Sequence, residues 1–91
     1  MINENSAIYM GIVTTVVLER CPTAVVHTER SAGGYEMTCM RKVGVGNEAR
    51  SVFDKHNFSD AETRSVSATA LAAAARTAGE TIGASLVNAK Q

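Results

Sequence analysis

The sequence has no tryptophan, a single proline, and only four aromatic side chains in 91 residues: Tyr9, Tyr35, Phe53 and Phe58. Large rings supply much of the burial energy of small proteins. Here the core must instead come from Ile, Val, Leu, Met and many Ala, and each Ala buries little area at roughly 25 cal/mol per Å². A chain of this length forms one domain, residues 1–91, and buries a modest share of its unfolded surface. Self-association is a common remedy for such a deficit, and a homodimer is expected.

Charge of one sign is also lacking. Nine basic residues balance nine acidic ones. The balance excludes the overall basic excess of many nucleic-acid binders and the acidic excess of a DNA mimic. It leaves little self-repulsion to oppose association. No stretch reaches the ~20 apolar residues that a membrane span requires. The apolar run Ala7–Leu18 follows Glu4 with no Lys or Arg before it, the wrong charge for a secretory signal. Cys21 and Cys39 therefore read as free thiols of a cytoplasmic protein.

What is present divides into a β-rich first half and a helical last third. Within Ala7–Leu18, the β-branched cluster Ile12–Val17 favours a strand, and a helix is the competing reading that a short apolar run does not settle. Pro22 breaks the segment. Thr23–Arg30 reads as a second strand, Ser31-Ala32-Gly33-Gly34 as a turn, and Tyr35–Val43 as a third strand that buries Tyr35, Met37, Cys39 and Val43. Arg41 falls on that buried side and Met40 on the wet side. Asn47 is placed to cap a short helix over Glu48–Lys55, with Ala49, Val52, Phe53 and His56 at helical spacing.

Ser59–Ala89 reads as one long alanine-rich helix opened by the capping box Ser59-Asp60-Ala61-Glu62. Its apolar stripe runs through Ala68, Leu71, Ala75, Ala78, Gly79, Ile82 and Leu86, flanked by Ala72 and Gly83, and is dominated by small residues that bury surface only by close approach. Each glycine inside a helix costs about 1 kcal/mol against alanine. Either a close contact offsets that cost, or the helix stops near Gly79. The expected fold is α+β: a three-stranded antiparallel sheet packed by a long C-terminal helix, with a short helix between. Leu71, Ala75, Gly79, Ile82 and Gly83 are the expected self-association residues.

Chemical motifs are sparse. Gly44-Val45-Gly46-Asn47-Glu48-Ala49 matches G-x-G-x-x-A, but a dinucleotide site needs a parallel βαβ unit and none follows. A tight turn accounts for the same glycines. Cys21, His27, Cys39 and His56 are too scattered for a zinc site. Cys39 with His27 could lie close on neighbouring strands, yet nothing marks an oriented base or an oxyanion site. No enzyme activity, cofactor or metal is expected. Arg41, Lys42, Arg50, Lys55 and Arg64 make the middle of the chain locally basic, diluted by Glu48, Asp54, Asp60 and Glu62. They are the candidate partner-binding residues.

The order of three strands before an alanine-rich helix resembles the double-stranded RNA-binding domain. In that family the helix opens with a lysine-rich phosphate contact, whereas Ser59-Asp60-Ala61-Glu62 is acidic. The expectation is a non-catalytic protein-binding module: a small inhibitor, adaptor or regulator, with the size and layout of phage-type inhibitors of host defence. A nucleic-acid-binding regulator using Arg41–Arg64 is the alternative.

Overall fold

The apolar run at the start of the chain is a helix. In the computed structural model, which describes residues 4–63 and 67–88, α1 spans Glu4–Arg20. Ser6, Tyr9, Met10, Val13, Val16 and Val17 are buried, three and four apart, while Ile8 stays half exposed. The strand expected over Ile8–Leu18 is thereby corrected. The β-branched residues do disfavour a helix locally, but one face packed against a second helix overrides that preference. Thr14 and Thr15 donate back to the carbonyls of Met10 and Gly11, at 2.8 and 2.9 Å, which satisfies hydroxyls that have no other element to reach.

Three antiparallel strands follow in a meander of order β1-β2-β3: β1 (Val25–Ser31), β2 (Gly34–Val43) and β3 (Arg50–Ser59). The β1–β2 hairpin turns at Ala32-Gly33, as the glycine pair predicts. Gly34 sits directly beneath the backbone of Phe58 and Ser59, where a side chain has no room. The expected helix over Glu48–Lys55 is instead the first half of β3, paired with β2 from Val43↔Arg50 to Gly34↔Ser59. Ala49, Val52, Phe53 and His56 fit a helical period, but a ten-residue partner strand offers a full ladder of backbone hydrogen bonds. The G-x-G-x-x-A segment is the connection: Gly44 and Gly46 adopt φ of 88° and 59°, and a single 3₁₀ turn spans Gly46–Glu48.

The C-terminal helix begins later than its capping box implies. Ser59 ends β3, and Asp60–Thr63 form one turn, α2. The side chain of Glu62 lies outside the described residues. The long helix, α3, spans Ala68–Asn88. Ser67 caps it, accepting from the Ala70 amide at 3.1 Å. A buried hydroxyl pair ties the first turn of α1 to α2: Ser6 Oγ lies 2.6 Å from Thr63 Oγ1, and Thr63 reaches the Ser59 carbonyl at 3.1 Å.

The molecule is thus α+β in two layers, α1 and α3 lying side by side over one face of the sheet. Tyr9, Met10, Val13 and Val17 of α1 meet Leu71, Ala75, Ile82 and Leu86 of α3 above Met37, Cys39 and Phe58 of the sheet. Tyr9 and Phe58 pack edge to face with centroids 5.8 Å apart. Helix α3 runs through Gly79 without stopping. A Cβ on Gly79 would stand 2.6 Å from Val16 Cβ and 3.0 Å from the Val13 carbonyl, and one on Gly83 would stand 2.6 Å from Arg20 Cβ. The two glycines therefore let the backbones of α1 and α3 approach. No helix among the described residues is long and apolar enough to cross a membrane.

Candidate functional site

The strand register decides which side chains face the helices. Cross-strand partners share a face, so the buried Met37 and Cys39 place Arg30, Thr28 and Val26 of β1 and Phe58, His56, Asp54 and Val52 of β3 on the inner side. The opposite side carries Val25, His27 and Glu29, then Glu36, Thr38, Met40 and Lys42, then Phe53, Lys55 and Asn57. No element of the described chain covers it.

One row of that open face is apolar. Val25 pairs with Met40 and Met40 with Phe53, so the three side chains cross the sheet in a line. Val25 is 56% exposed and Phe53 66%. Val45, in the connection just beyond the strand ends, is 81% exposed. Polar rows flank the line: Lys42 and Ser51 on one side, His27, Thr38 and Lys55 on the other, then Glu29, Glu36 and Asn57. Lys55 Nζ is 3.1 Å from Glu36 Oε1, and His27 Nε2 is 3.3 Å from Glu29 Oε1. An apolar centre inside a polar rim is the build of a contact surface.

Among the described residues the basic side chains do not converge. Arg41 is half buried on the inner side and donates to the Val87 carbonyl of α3 at 3.2 Å. Arg50 starts β3 and shares that side, while Lys42 and Lys55 lie on the open face. Arg64 lies outside the described residues. The stripe Leu71, Ala75, Gly79, Ile82 and Gly83 is buried, and the neighbour against it is the chain's own α1. The close contact that the sequence implies is made within the chain.

Nucleophile geometry is unfavourable where the sequence raised it. His27 and Cys39 sit on opposite faces of the sheet, because Cys39 is paired with Val26 and His27 with Thr38. Cys39 has no exposed surface. Burial first, then the charge of Asp54 opposite it and the nearby Cys21, push its thiol up to about 11, so it stays protonated at neutral pH. Asp54 and His56 lie 3.1 Å apart on the inner side, close enough for an ion pair but without the alignment of a hydrogen bond. Among the described residues no group of three His, Cys, Asp or Glu could hold a metal ion.

The sequence reading missed the Val25–Met40–Phe53 line because it placed Phe53 on a helix. The usable signal was the pair of long segments on either side of Gly44-Val45-Gly46, which lets Met40 and Phe53 meet across a tight turn. Compared with family models, with curated proteins and with solved structures, the chain matches none.

Proposed function

We propose that this chain is a non-catalytic protein-binding module that meets its partner with the open face of its sheet. The observation that carries the reading is the line Val25–Met40–Phe53, with Val25 and Phe53 exposed and Met40 half buried between them on the face away from the helices. Phenylalanine is a costly residue to leave in water, since burying it fully is worth about 1.5–3 kcal/mol. Aromatic anchors inside a polar rim supply most of the energy of many interfaces. The flanking Lys42, Lys55, Glu29 and Glu36 carry both signs, which suits a protein surface better than a phosphate backbone. The module acts by occupying a partner, as an inhibitor, adaptor or regulator does.

The test uses the tagged chain against the native lysate of its source. The wild type recovers a stoichiometric protein, Phe53→Asp loses it, and Thr77→Ala, on the far side of α3, retains it. Equal recovery with Phe53→Asp, both variants being folded by circular dichroism, removes the open face from the reading.

A further inference from the structure

Strand β1 is an open edge whose backbone is already arranged to accept a strand. The hairpin closes through a two-residue loop at Ser31↔Gly34. In such hairpins the pair flanking the loop exchanges both hydrogen bonds, and bonded and non-bonded pairs then alternate. Glu29, His27 and Val25 therefore bond to β2, while the amides and carbonyls of Arg30, Thr28 and Val26 point away from it. Among the described residues no backbone group of another element meets them. Six of the seven residues of β1 are exposed.

We infer that the occupant is β1 of a second copy, running antiparallel and centred on Thr28. Symmetry limits the choice of register, since outward-pointing groups must meet outward-pointing groups. Centring the pair on His27 sets imidazole against imidazole. Centring it on Glu29 sets carboxylate against carboxylate, which repels. Centring it on Thr28 sets His27 of each copy opposite Glu29 of the other, twice by symmetry, with Val26 opposite Arg30. Only this register sets a hydrogen-bond donor, the imidazole, opposite an acceptor, the carboxylate, on the outer side. Arg30 is compatible with it, being held in its own chain by Asp60 at 2.6 and 2.9 Å and stacked over Tyr35 at 5.0 Å.

The other edge, β3, is less suited. Lys55 stands at its middle, the kind of charge that blunts an exposed edge. Its mid-strand pairing would set Lys55 against Lys55. Pairing through β1 yields a continuous sheet of order β3-β2-β1-β1-β2-β3, with both open faces on one side. The inference is independent of what the Val25–Met40–Phe53 line binds.

In this register the two Thr28 Cα atoms lie about 5.5 Å apart, within disulfide range. The native thiols are buried and stay in place. The variants Thr28→Cys, His27→Cys and Glu29→Cys, each in the full chain, are mildly oxidised and run without reductant. The expected result is a reducible dimer from Thr28→Cys well above the other two. In sedimentation, Glu29→Lys weakens the dimer several-fold, and adding His27→Glu to Glu29→Lys restores it. A dimer trapped by His27→Cys or Glu29→Cys instead overturns the inference, as does a dimer that Thr28→Cys does not trap. Glu29→Lys without effect overturns it too, and so does a monomeric mass up to about 1 mM.

Discussion

The seam between α1 and α3 and the open face of the sheet use apolar residues in opposite ways. The seam is built from Gly79, Gly83 and Ala75 against the valines of α1, small groups brought so close that a single added carbon at Gly79 would stand 2.6 Å from Val16. The open face carries large groups with nothing against them, Phe53 foremost. Size alone therefore does not decide burial in this molecule. Where the fold closes on itself, shape complementarity substitutes for bulk, because close-packed backbones gain many weak contacts per residue. Where bulk is present and bare, folding does not account for it.

Substitutions on the two sides sharpen that contrast. The largest effect is expected for Gly79→Leu, which drives a branched side chain into Val16 and the Val13 carbonyl. Overfilling on this scale should cost more than about 3 kcal/mol in urea unfolding. An unchanged midpoint would mean the seam is loose. Met37→Ala, beneath the seam with no exposed surface, leaves a cavity and should cost about 2–5 kcal/mol in the same assay.

Cys39 gives an effect that depends on pH. Its thiol is raised from 9.0 to about 11 in the folded state by burial, so the unfolded chain ionises first. The stabilisation is complete below pH 9 and is lost as pH rises from 9 to about 11. Cys39→Ala should show a shallower decline over that window than the wild type. Equal slopes would remove the thiol as the cause. Phe53→Asp should be the mildest, within about 0.5 kcal/mol of the wild type, since surface positions rarely exceed that. A large loss there would mean the phenylalanine serves the fold and would erase the contrast between the two regions.

How much was legible in the sequence follows from how local each signal is. The Ala32-Gly33 turn and the alternation of Met37 and Cys39 are local, and they placed β1 and β2. The spacing of Leu71, Ala75, Gly79, Ile82 and Leu86 is also local, and it gave α3 and the need for a close neighbour. That the neighbour is α1 was hidden, because the Ile12–Val17 cluster has the residue types of a strand and becomes helical only through contacts with residues far along the chain. Strand β3 was hidden for a related reason. Its period is ambiguous with Phe53 outward, and only pairing with β2 resolves it. The start of α3 went to Ser59 and not Ser67 because two cap-like serines precede the same alanine run. The open apolar line follows from the register of β3, so it could not be read before that strand was known.

The hydroxyl pair between Ser6 and Thr63 joins residues 57 positions apart. During synthesis, α1 leaves the ribosome long before its cover is made. Its valine face must wait through the emergence of the whole meander, bare to any hydrophobic surface nearby. The hairpins can form early from contacts close in sequence, whereas closure of the helical layer is a late event, and such distant closure slows folding. A nascent chain halted after β3 should therefore be handed to chaperones, while release of α3 ends that exposure in one step.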